Sequence, residues 1–211
     1  MDGSELREKM FSFKDVEKLN QPSLDFWHWC TEESGVGFEG GTDGFKRLLM
    51  FALVVMTNSK LIYETGMNAG IVPLYLAPAL EHLDAKYVGF ENYRPREVVL
   101  KHVQDAYPSR IEVVWGDCLV EVPKRVAVTG ERPDFFHVDG PHGTPQAVVD
   151  IRNAVRAVKI GGIIMMDDAT NPLLTGAIDQ IPCVRERIIP ISWGSGTSIF
   201  QVKEGDTNKL S

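Results

Sequence analysis

The hydrophobic pattern of the chain alternates between short apolar runs and longer segments whose apolar residues have helical spacing. Leu61 begins a short β-favouring run that ends at Glu64, and Ile71–Ala77 then has the pattern of a helix. Lys86–Glu91 is a second short strand, and Pro95–Tyr107 carries its valines on one helical face. This alternation predicts a mostly parallel sheet with helices on both of its faces.

The same alternation continues towards the C-terminus. The pattern predicts a helix over Pro145–Val158 and three further strands, at Ile111–Trp115, Asp134–Val138 and Ile163–Met166. Arg187–Ile191 and Thr197–Val202 flank a glycine-rich turn and predict an antiparallel hairpin. The predicted fold class is therefore α/β: a doubly wound, Rossmann-like, seven-stranded and mostly parallel sheet with a C-terminal antiparallel hairpin.

Two segments have a weaker pattern. Residues 1–44 are expected to form an N-terminal helical or cap segment, and residues 45–211 a single sheet domain. The aromatic cluster Phe26–Trp29 either caps a substrate pocket or packs an N-terminal helix on the body, and packing is the more common role of large aromatics. Leu119–Val128 is expected to be a helix or an irregular connector, broken near Pro123.

Composition narrows the possible partners. The chain has 211 residues, 44% of them hydrophobic, and a net charge of −7, and its 22 basic residues form no long run. This charge argues against nucleic acid or an anionic membrane surface as the main partner. No apolar run reaches the length of a membrane span, and the N-terminal residues lack the apolar core of a signal peptide, so a cytoplasmic location is expected.

The three cysteines are far apart in the sequence and have no paired spacing. Cys30, Cys118 and Cys183 therefore predict neither a disulfide framework nor a zinc site, and they suit a reducing compartment. We expect them to be small buried hydrophobic residues.

The segment Glu64–Gly70 joins the first predicted strand to the first predicted helix of the sheet. A strand, a glycine loop and a helix together present backbone N–H groups to a nucleotide-like ligand. Glu91 ends the next strand, where a carboxylate can accept two hydrogen bonds from ribose hydroxyls; the alternative is a solvated strand-end acid. The loop lacks the spacing Gly-x-Gly-x-x-Gly, which argues against a nicotinamide-dependent oxidoreductase.

Acidic residues recur where the predicted strands end. They are Glu64, Glu91, Asp117, Asp139, Asp167 and Asp168. The carboxyl ends of parallel strands meet at one edge of a sheet, and ligands bind there. The sequence therefore predicts one acidic cleft.

An ordered set of motifs carries a resemblance to a known family. The motifs are Glu64-Thr-Gly66 with Gly70, Glu91, Gly116-Asp117, Val138-Asp-Gly-Pro-His142, Gly161-Gly162 and Met166-Asp-Asp168. Over about residues 45–203 the chain resembles the class I S-adenosylmethionine-dependent methyltransferases. Within that group it is most similar to the small O-methyltransferases of the catechol and macrolide-sugar kind.

The resemblance implies S-adenosylmethionine as the cofactor and assigns residues to it. The loop Glu64–Gly70 would hold its methionine end, Glu91 its ribose, and Asp117 with Cys118 its adenine. The predicted cofactor-binding residues are Glu64, Thr65, Gly66, Asn68, Gly70, Glu91, Asn92, Gly116, Asp117, Cys118 and Asp139.

The resemblance also implies a divalent cation, with Asp139, Asp167 and Asp168 at the positions where metal-dependent members place their ligands. Mg²⁺ takes oxygen ligands and lowers the pKa of a bound hydroxyl. Both adjacent aspartates can contribute only if the backbone leaves strand geometry there. The alternative is that Asp168 or Asn171 caps the helix that follows.

Two residues are the candidate catalytic groups, His142 and Asp139. His142 falls where catechol-type members carry a lysine, and its imidazole could accept the proton of the acceptor hydroxyl. His137 lies within an apolar strand and is expected to be a hydrogen-bonded core histidine. Trp193 and Asn171 could line the substrate pocket, although turn-packing and helix-start roles suit them equally.

The predicted function is an O-methyltransferase, assisted by Mg²⁺, that acts on a hydroxyl of a small molecule. The alternatives are a nicotinamide-dependent oxidoreductase on a similar sheet and a non-catalytic cofactor-binding protein. The expected partner is a small hydroxylated substrate, without nucleic acid or membrane, and the apolar N-terminal elements could serve a homodimer.

Overall fold

The computed structural model of the chain describes residues 13–35, 44–191 and 195–210. Residues 1–12 of the predicted N-terminal segment, the linker around Gly40 and the candidate pocket residue Trp193 lie outside the described residues.

The described strands form the seven-stranded sheet that the sequence predicts. They are β1 (Leu61–Thr65), β2 (Lys86–Glu91), β3 (Ile111–Trp115), β4 (Phe135–Val138), β5 (Ile163–Asp167), β6 (Ile189–Ile191) and β7 (Thr197–Gln201). Their order across the sheet is β3-β2-β1-β4-β5-β7-β6. Strands β1 to β5 run parallel, and β7 is antiparallel to both β5 and β6, so the predicted fold class is confirmed.

Helices cover both faces of the sheet. They are α1 (Phe13–Ser34), α2 (Gly44–Met56), α3 (Ile71–Leu83), α4 (Glu97–Ala106), α5 (Cys118–Thr129), α6 (Thr144–Ala157), α7 (Pro172–Asp179) and α8 (Pro182–Arg185). The first four supply side chains to one apolar cluster, and α5 to α8 supply side chains to another. The strand order reverses between β1 and β4, and such a switch point is where a parallel α/β sheet opens a crevice for a ligand.

The predicted break near Pro123 is wrong, because α5 is continuous from Cys118 to Thr129. A proline inside a helix leaves the carbonyl four residues earlier without its N–H donor. Here that carbonyl belongs to Leu119, and it accepts a hydrogen bond of 3.0 Å from the side-chain amide of Asn153 on α6. A neighbouring helix therefore replaces the missing bond.

The aromatic cluster of α1 packs against the body, which was the preferred interpretation. Trp27 is buried in the core with α3, and its indole N–H donates to the carbonyl of Ala69 at 2.9 Å. Trp29 is half exposed, with its ring edge on to His102 of α4. Helix α1 thus contacts the loop that precedes α3, at the carboxyl edge of the sheet.

The three cysteines are free and buried, as expected. None of the helices in the described part of the chain combines the length and the apolar composition that a membrane span needs.

Candidate functional site

A pocket of about 330 Å³ opens at the carboxyl edge of the sheet, beside the switch point. Its walls come from the loops after β1, β2, β3 and β4. The lining residues that the sequence analysis assigned to the cofactor are Gly66, Glu91, Asn92, Gly116, Asp117 and Cys118. Five lining residues were not predicted: Phe90, Leu119, Gly140, Pro141 and Gln146.

The loop after β1 needs glycine for two reasons. Gly66 has φ of +79°, and a Cβ at this position would overlap the backbone carbonyl of Asp139 in the loop after β4. Glycine alone adopts this backbone readily and lets the two loops touch. Gly70, with φ of +74°, is the residue before the first turn of α3. The loop therefore brings the chain after β1 and the chain after β4 into direct contact at the pocket.

Glu91 organises one wall of the pocket through backbone donors. Its Oε2 accepts from the backbone N–H of Asn68 at 2.7 Å, and its Oε1 accepts from Asn92 at 2.9 Å and Tyr93 at 2.8 Å. The side chain is buried and lines the pocket. Two carboxylate oxygens offer about four acceptor directions, so capacity remains for a ligand hydroxyl. The carboxylate ties the glycine loop to β2 and presents a fixed negative charge to the pocket.

Asp117 and Cys118 form the opposite wall, where α5 begins. Asp117 is the N-cap residue of α5, and its side chain accepts from the backbone N–H of Leu119 at 2.9 Å. This is the usual role of an aspartate at a helix start, because it satisfies a donor that has no helical partner. Burial raises the pKa of the Cys118 thiol, and the charges of Asp150 and Asp117 raise it further, so the thiol stays neutral.

Glu64 and Thr65 are not among the residues that line this pocket, and their contact with the cofactor stays a prediction. The Thr65 hydroxyl faces the other side of the sheet and donates to Asp150 Oδ2 at 2.9 Å. Successive side chains of a strand point to opposite faces, so residues at the end of β1 face the layers above and below the sheet. Asn68 contributes its backbone N–H to Glu91, and Gly70 is the residue before the start of α3.

Glu64 is the centre of a buried network beneath the pocket. It is 1% exposed, accepts from the hydroxyl of Tyr87, and shares a hydrogen bond of 2.7 Å with Nδ1 of His137. Burial lowers the pKa of His137, but the hydrogen bond and charge of Glu64, with the charges of Asp139 and Asp167, outweigh it and raise the pKa to about 9. His137 is thus a charged partner of Glu64 at neutral pH. It is the core histidine that the sequence predicted.

Asp150 of α6 is a second buried acid. It lies on the face of the sheet opposite Glu64, where it accepts from Thr65. Burial raises its pKa to about 7, and the charge of Asp117 raises it while the hydrogen bond from Thr65 lowers it. Its Oδ1 has no hydrogen-bond partner among the described residues.

The second half of the site is an acidic cluster next to the pocket, formed by Asp139, Asp167, Asp168 and His142. The imidazole of His142 lies between two of the acids: Nδ1 is 3.5 Å from Oδ2 of Asp168, and Nε2 is 3.9 Å from Oδ1 of Asp139. The His142 side chain is 41% exposed, so it can exchange a proton with solvent. Burial raises the pKa of Asp139 well above its usual range; the charge of His137 lowers it, and the charge of Asp167 raises it again.

The backbone leaves strand geometry between Asp167 and Asp168, as two aspartates acting together would require. Asp168 has φ of +52°, and its N–H donates to Oδ1 of Asp167 at 2.7 Å. The cap of the next helix is Asn171, whose Oδ1 accepts from the backbone N–H of Leu173 at 3.0 Å. Asn171 thus has the helix-start role, which leaves the side chain of Asp168 for the cluster.

Lys46 of α2 completes this cluster, and the sequence analysis missed it. Its side chain is almost fully buried, and its ammonium contacts Oδ1 of Asp167, lies 2.6 Å from Oγ of Ser195 and 3.8 Å from Oδ1 of Asp168. A sequence signal does exist: Lys46 and Arg47 stand in the first turn of an apolar helix, where the helix dipole disfavours cations. A buried lysine in that position implies an acidic partner elsewhere in the fold.

The predicted magnesium ligands do not fit a metal as they stand. Among the described residues, the group of three side chains whose ligand atoms all lie within 4.8 Å of one another is Glu64, His137 and Asp139. Glu64 and His137 are already bonded to each other. Asp167 is bonded to Lys46 instead of joining Asp139 and Asp168 around one point. The place expected for a divalent cation is next to an ammonium group of the chain itself.

Comparison with solved structures finds the same fold in methyltransferases. The O-methyltransferase TomG from Streptomyces achromogenes, solved with S-adenosylmethionine, has a TM-score of 0.70 at 18% identity; the match covers 86% of this chain and 89% of TomG. The O-methyltransferase from Bacillus cereus, solved with S-adenosylhomocysteine, gives 0.66 at 16% identity over 92% and 93% of the two chains. The Podospora anserina methyltransferase PaMTH1 gives 0.68 at 11% identity over 96% and 94%. At these identities the likeness shows a shared fold.

The family of the chain is identified from its sequence. No curated protein matches the chain. Residues 63–169, slightly more than half of the chain, match the profile of a family described as a methyltransferase domain. The match runs from β1 to the residue after Asp168 and so includes the whole pocket and the acidic cluster except Lys46 and Ser195. The resemblance to class I S-adenosylmethionine-dependent methyltransferases is thereby confirmed, and the chain belongs to the methyltransferase domain family.

Proposed function

We propose that the protein transfers the methyl group of S-adenosylmethionine to a hydroxyl of a small molecule, with His142 as the base. One observation carries the proposal: the loop Asp139–His142 borders both the pocket and the acidic cluster. Gly140 and Pro141 line the pocket, and His142 lies within 4 Å of Asp139 and Asp168. A cofactor in the pocket and an acceptor at the cluster would therefore meet at this loop.

The pocket suits the nucleoside part of the cofactor. Glu91 would accept a hydrogen bond from a ribose hydroxyl, and Asp117 with Cys118 would face the adenine. The sulfonium is a cation, and the acids of the cluster would favour it electrostatically. Solved structures of the same fold hold S-adenosylmethionine or S-adenosylhomocysteine, which supports S-adenosylmethionine as the cofactor.

The reaction needs an oxygen nucleophile in line with the S–CH3 bond, and much of the acceleration can come from that placement. Bound S-adenosylmethionine would supply the methyl group: the acceptor oxygen would bond to the methyl carbon while the carbon–sulfur bond breaks, and the electron pair of the broken bond would stay on sulfur. The hydroxyl proton would pass to Nε2 of His142, whose Nδ1 lies 3.5 Å from Oδ2 of Asp168. Asp168 then stabilises the imidazolium, and the exposed ring returns the proton to solvent.

The test is methyl transfer measured by mass spectrometry with a panel of phenols, catechols and sugars. His142→Ala should lower turnover by about 10²–10⁴-fold, the usual contribution of a general base, and leave S-adenosylhomocysteine affinity unchanged by calorimetry. His102→Ala is the matched control, because His102 contacts Trp29 away from the cluster. Tight cofactor binding without transfer to any compound of the panel would favour the non-catalytic alternative.

A further inference from the structure

We infer that Lys46 is a built-in cation that takes the place of a divalent metal, so that the enzyme works without metal on acceptors that present a single hydroxyl. The inference about the metal concerns the structure of the cluster alone. The inference about the acceptor rests on the proposed function.

Lys46 places a buried positive charge in the acidic cluster. Helix α2 enters the acidic cluster from the face of the sheet that α1, α3 and α4 also cover. The lysine is 3% exposed, and its ammonium contacts the carboxylate of Asp167 and the hydroxyl of Ser195. Buried charges persist in proteins when they are paired and hydrogen-bonded, and this ammonium has both kinds of partner.

Asp167 already uses one carboxylate oxygen for contacts within the chain. Its Oδ1 accepts from Lys46 and also from the backbone N–H of Asp168. Mg²⁺ requires oxygen ligands at about 2.0–2.1 Å in near-octahedral arrangement. An ion bound between Asp167 and Asp168 would lie a few ångströms from a buried ammonium, which is 3.8 Å from the second aspartate. The repulsion between such charges is strong where water is excluded.

Asp139, the third predicted ligand, does not complete a metal site with Asp167 and Asp168. Asp139 groups with Glu64 and His137, whose side chains are already committed to one another and to Tyr87. Lys46 thus already pairs with Asp167, and His137 already pairs with Glu64. Asp139, Asp167 and Asp168 do not form a group of three such ligands in the described part of the chain.

The acceptor class follows from this arrangement. A metal in such a site can hold two oxygens of a diol at once, which selects neighbouring hydroxyls. Lys46 is buried and bonded to Asp167 and Ser195, so it does not offer two open positions to a substrate. The acceptor then needs one hydroxyl within reach of His142, and a second neighbouring hydroxyl adds nothing to binding.

Manganese binding tests the inference without any need for activity. Mn²⁺ is titrated by electron paramagnetic resonance into the wild-type chain, Lys46→Ala, the double variant Lys46→Ala/Asp167→Asn, and the control Lys101→Ala, an exposed lysine paired with Asp105. We expect at least about ten-fold tighter Mn²⁺ binding by Lys46→Ala than by wild type. The gain should disappear in the double variant and be absent in the control.

The wild-type protein supplies the second arm, which does not depend on the folding of any variant. Methyl transfer should be equal in chelator and in Mg²⁺, and a phenol should be methylated as well as the matching catechol. Saturable Mn²⁺ binding by wild type that Asp167→Asn removes would overturn the inference, and so would a folded Lys46→Ala without any gain. Absence of methyl transfer under all conditions would contradict the proposed function, while the manganese titration would still decide the role of Lys46.

Discussion

Glu91 and Asp167 are both buried acids at the ends of parallel strands, yet different groups stabilise them. Glu91 accepts from three backbone N–H groups that lie in the two loops beside it. Asp167 accepts from one backbone N–H, that of Asp168, and from the ammonium of Lys46, which is 121 residues earlier in the sequence. The cofactor half of the site is therefore held by backbone amides, which any residue in those turns supplies. The acceptor half is held by side-chain charges, each of which one substitution can remove.

The largest expected effect is on the acceptor half, where Lys46→Ala leaves Asp167 buried without its cation. Removing one partner of a buried pair costs about 3–5 kcal/mol, because the remaining charge has lost its compensation. We expect the free energy of unfolding in urea to fall by that amount. Lys101→Ala removes an exposed lysine–aspartate pair and should change stability by less than about 1 kcal/mol. Equal losses in the two variants would show that Lys46 is not a buried ion-pair partner.

A pH-dependent stability is the next largest effect, and it separates side-chain partners from backbone partners, since amides do not titrate. The folded-state pKa of His137 is about 9, above the ordinary 6.5. Its contribution is thus fully present below about pH 6.5 and is lost as the pH rises through about 9. The loss should be on the order of 3 kcal/mol, from about 1.4 kcal/mol for each pKa unit.

Urea unfolding of wild type and His137→Gln, measured from pH 6 to about pH 10, checks this slope. The difference in stability between the two proteins should shrink as the pH rises. His82→Gln, at an exposed position of α3, should keep the wild-type slope. A constant difference between wild type and His137→Gln would mean that His137 is not the titrating partner of Glu64.

On the cofactor half, Glu91→Gln should weaken S-adenosylhomocysteine binding by up to about 100-fold. The change removes the charge that strengthens each hydrogen bond, and such bonds contribute about 1.5–3 kcal/mol. It also places an amide N–H₂ against backbone donors. Calorimetry measures the loss, and Glu97→Gln, at a largely exposed position beside Arg94, is the control. An unchanged affinity would mean that the ribose does not contact Glu91.

The fold could be predicted almost completely, because its signals are local. Apolar runs of strand length and valines at helical spacing identify β1 to β5 and the helices between them. The prediction of a break at Pro123 was wrong because of a tertiary contact: Asn153 of α6 supplies the donor that the proline lacks. The side-chain amide of a distant helix leaves no trace in the local pattern.

The site residues differ in the same way: those with local signals could be predicted, and those with distant partners could not. Gly66, Glu91 and Asp117 could be predicted as pocket residues because each ends or follows a strand of the sheet. The buried partners of Glu64 could not be predicted, since Tyr87 and His137 lie on neighbouring strands. Lys46 was missed because its pairing with Asp167 joins α2 to the end of β5. Side-chain partners across the sheet decide the acceptor half, and the sequence pattern does not specify them.

The smallest expected effect is at Asp117, whose side chain caps α5 in the cofactor half of the site. Asp117→Ala removes the acceptor for the N–H of Leu119 and should lower stability by about 1 kcal/mol, or roughly 2–4 °C in melting temperature for a chain of this size. Asp117→Asn keeps a cap acceptor and should recover most of that loss. The two variants differ in cap and not in charge, because both are neutral. Equal melting temperatures for alanine and asparagine would therefore show that charge, and not the cap, connects Asp117 to the fold, and the division between the two halves would no longer hold at this residue.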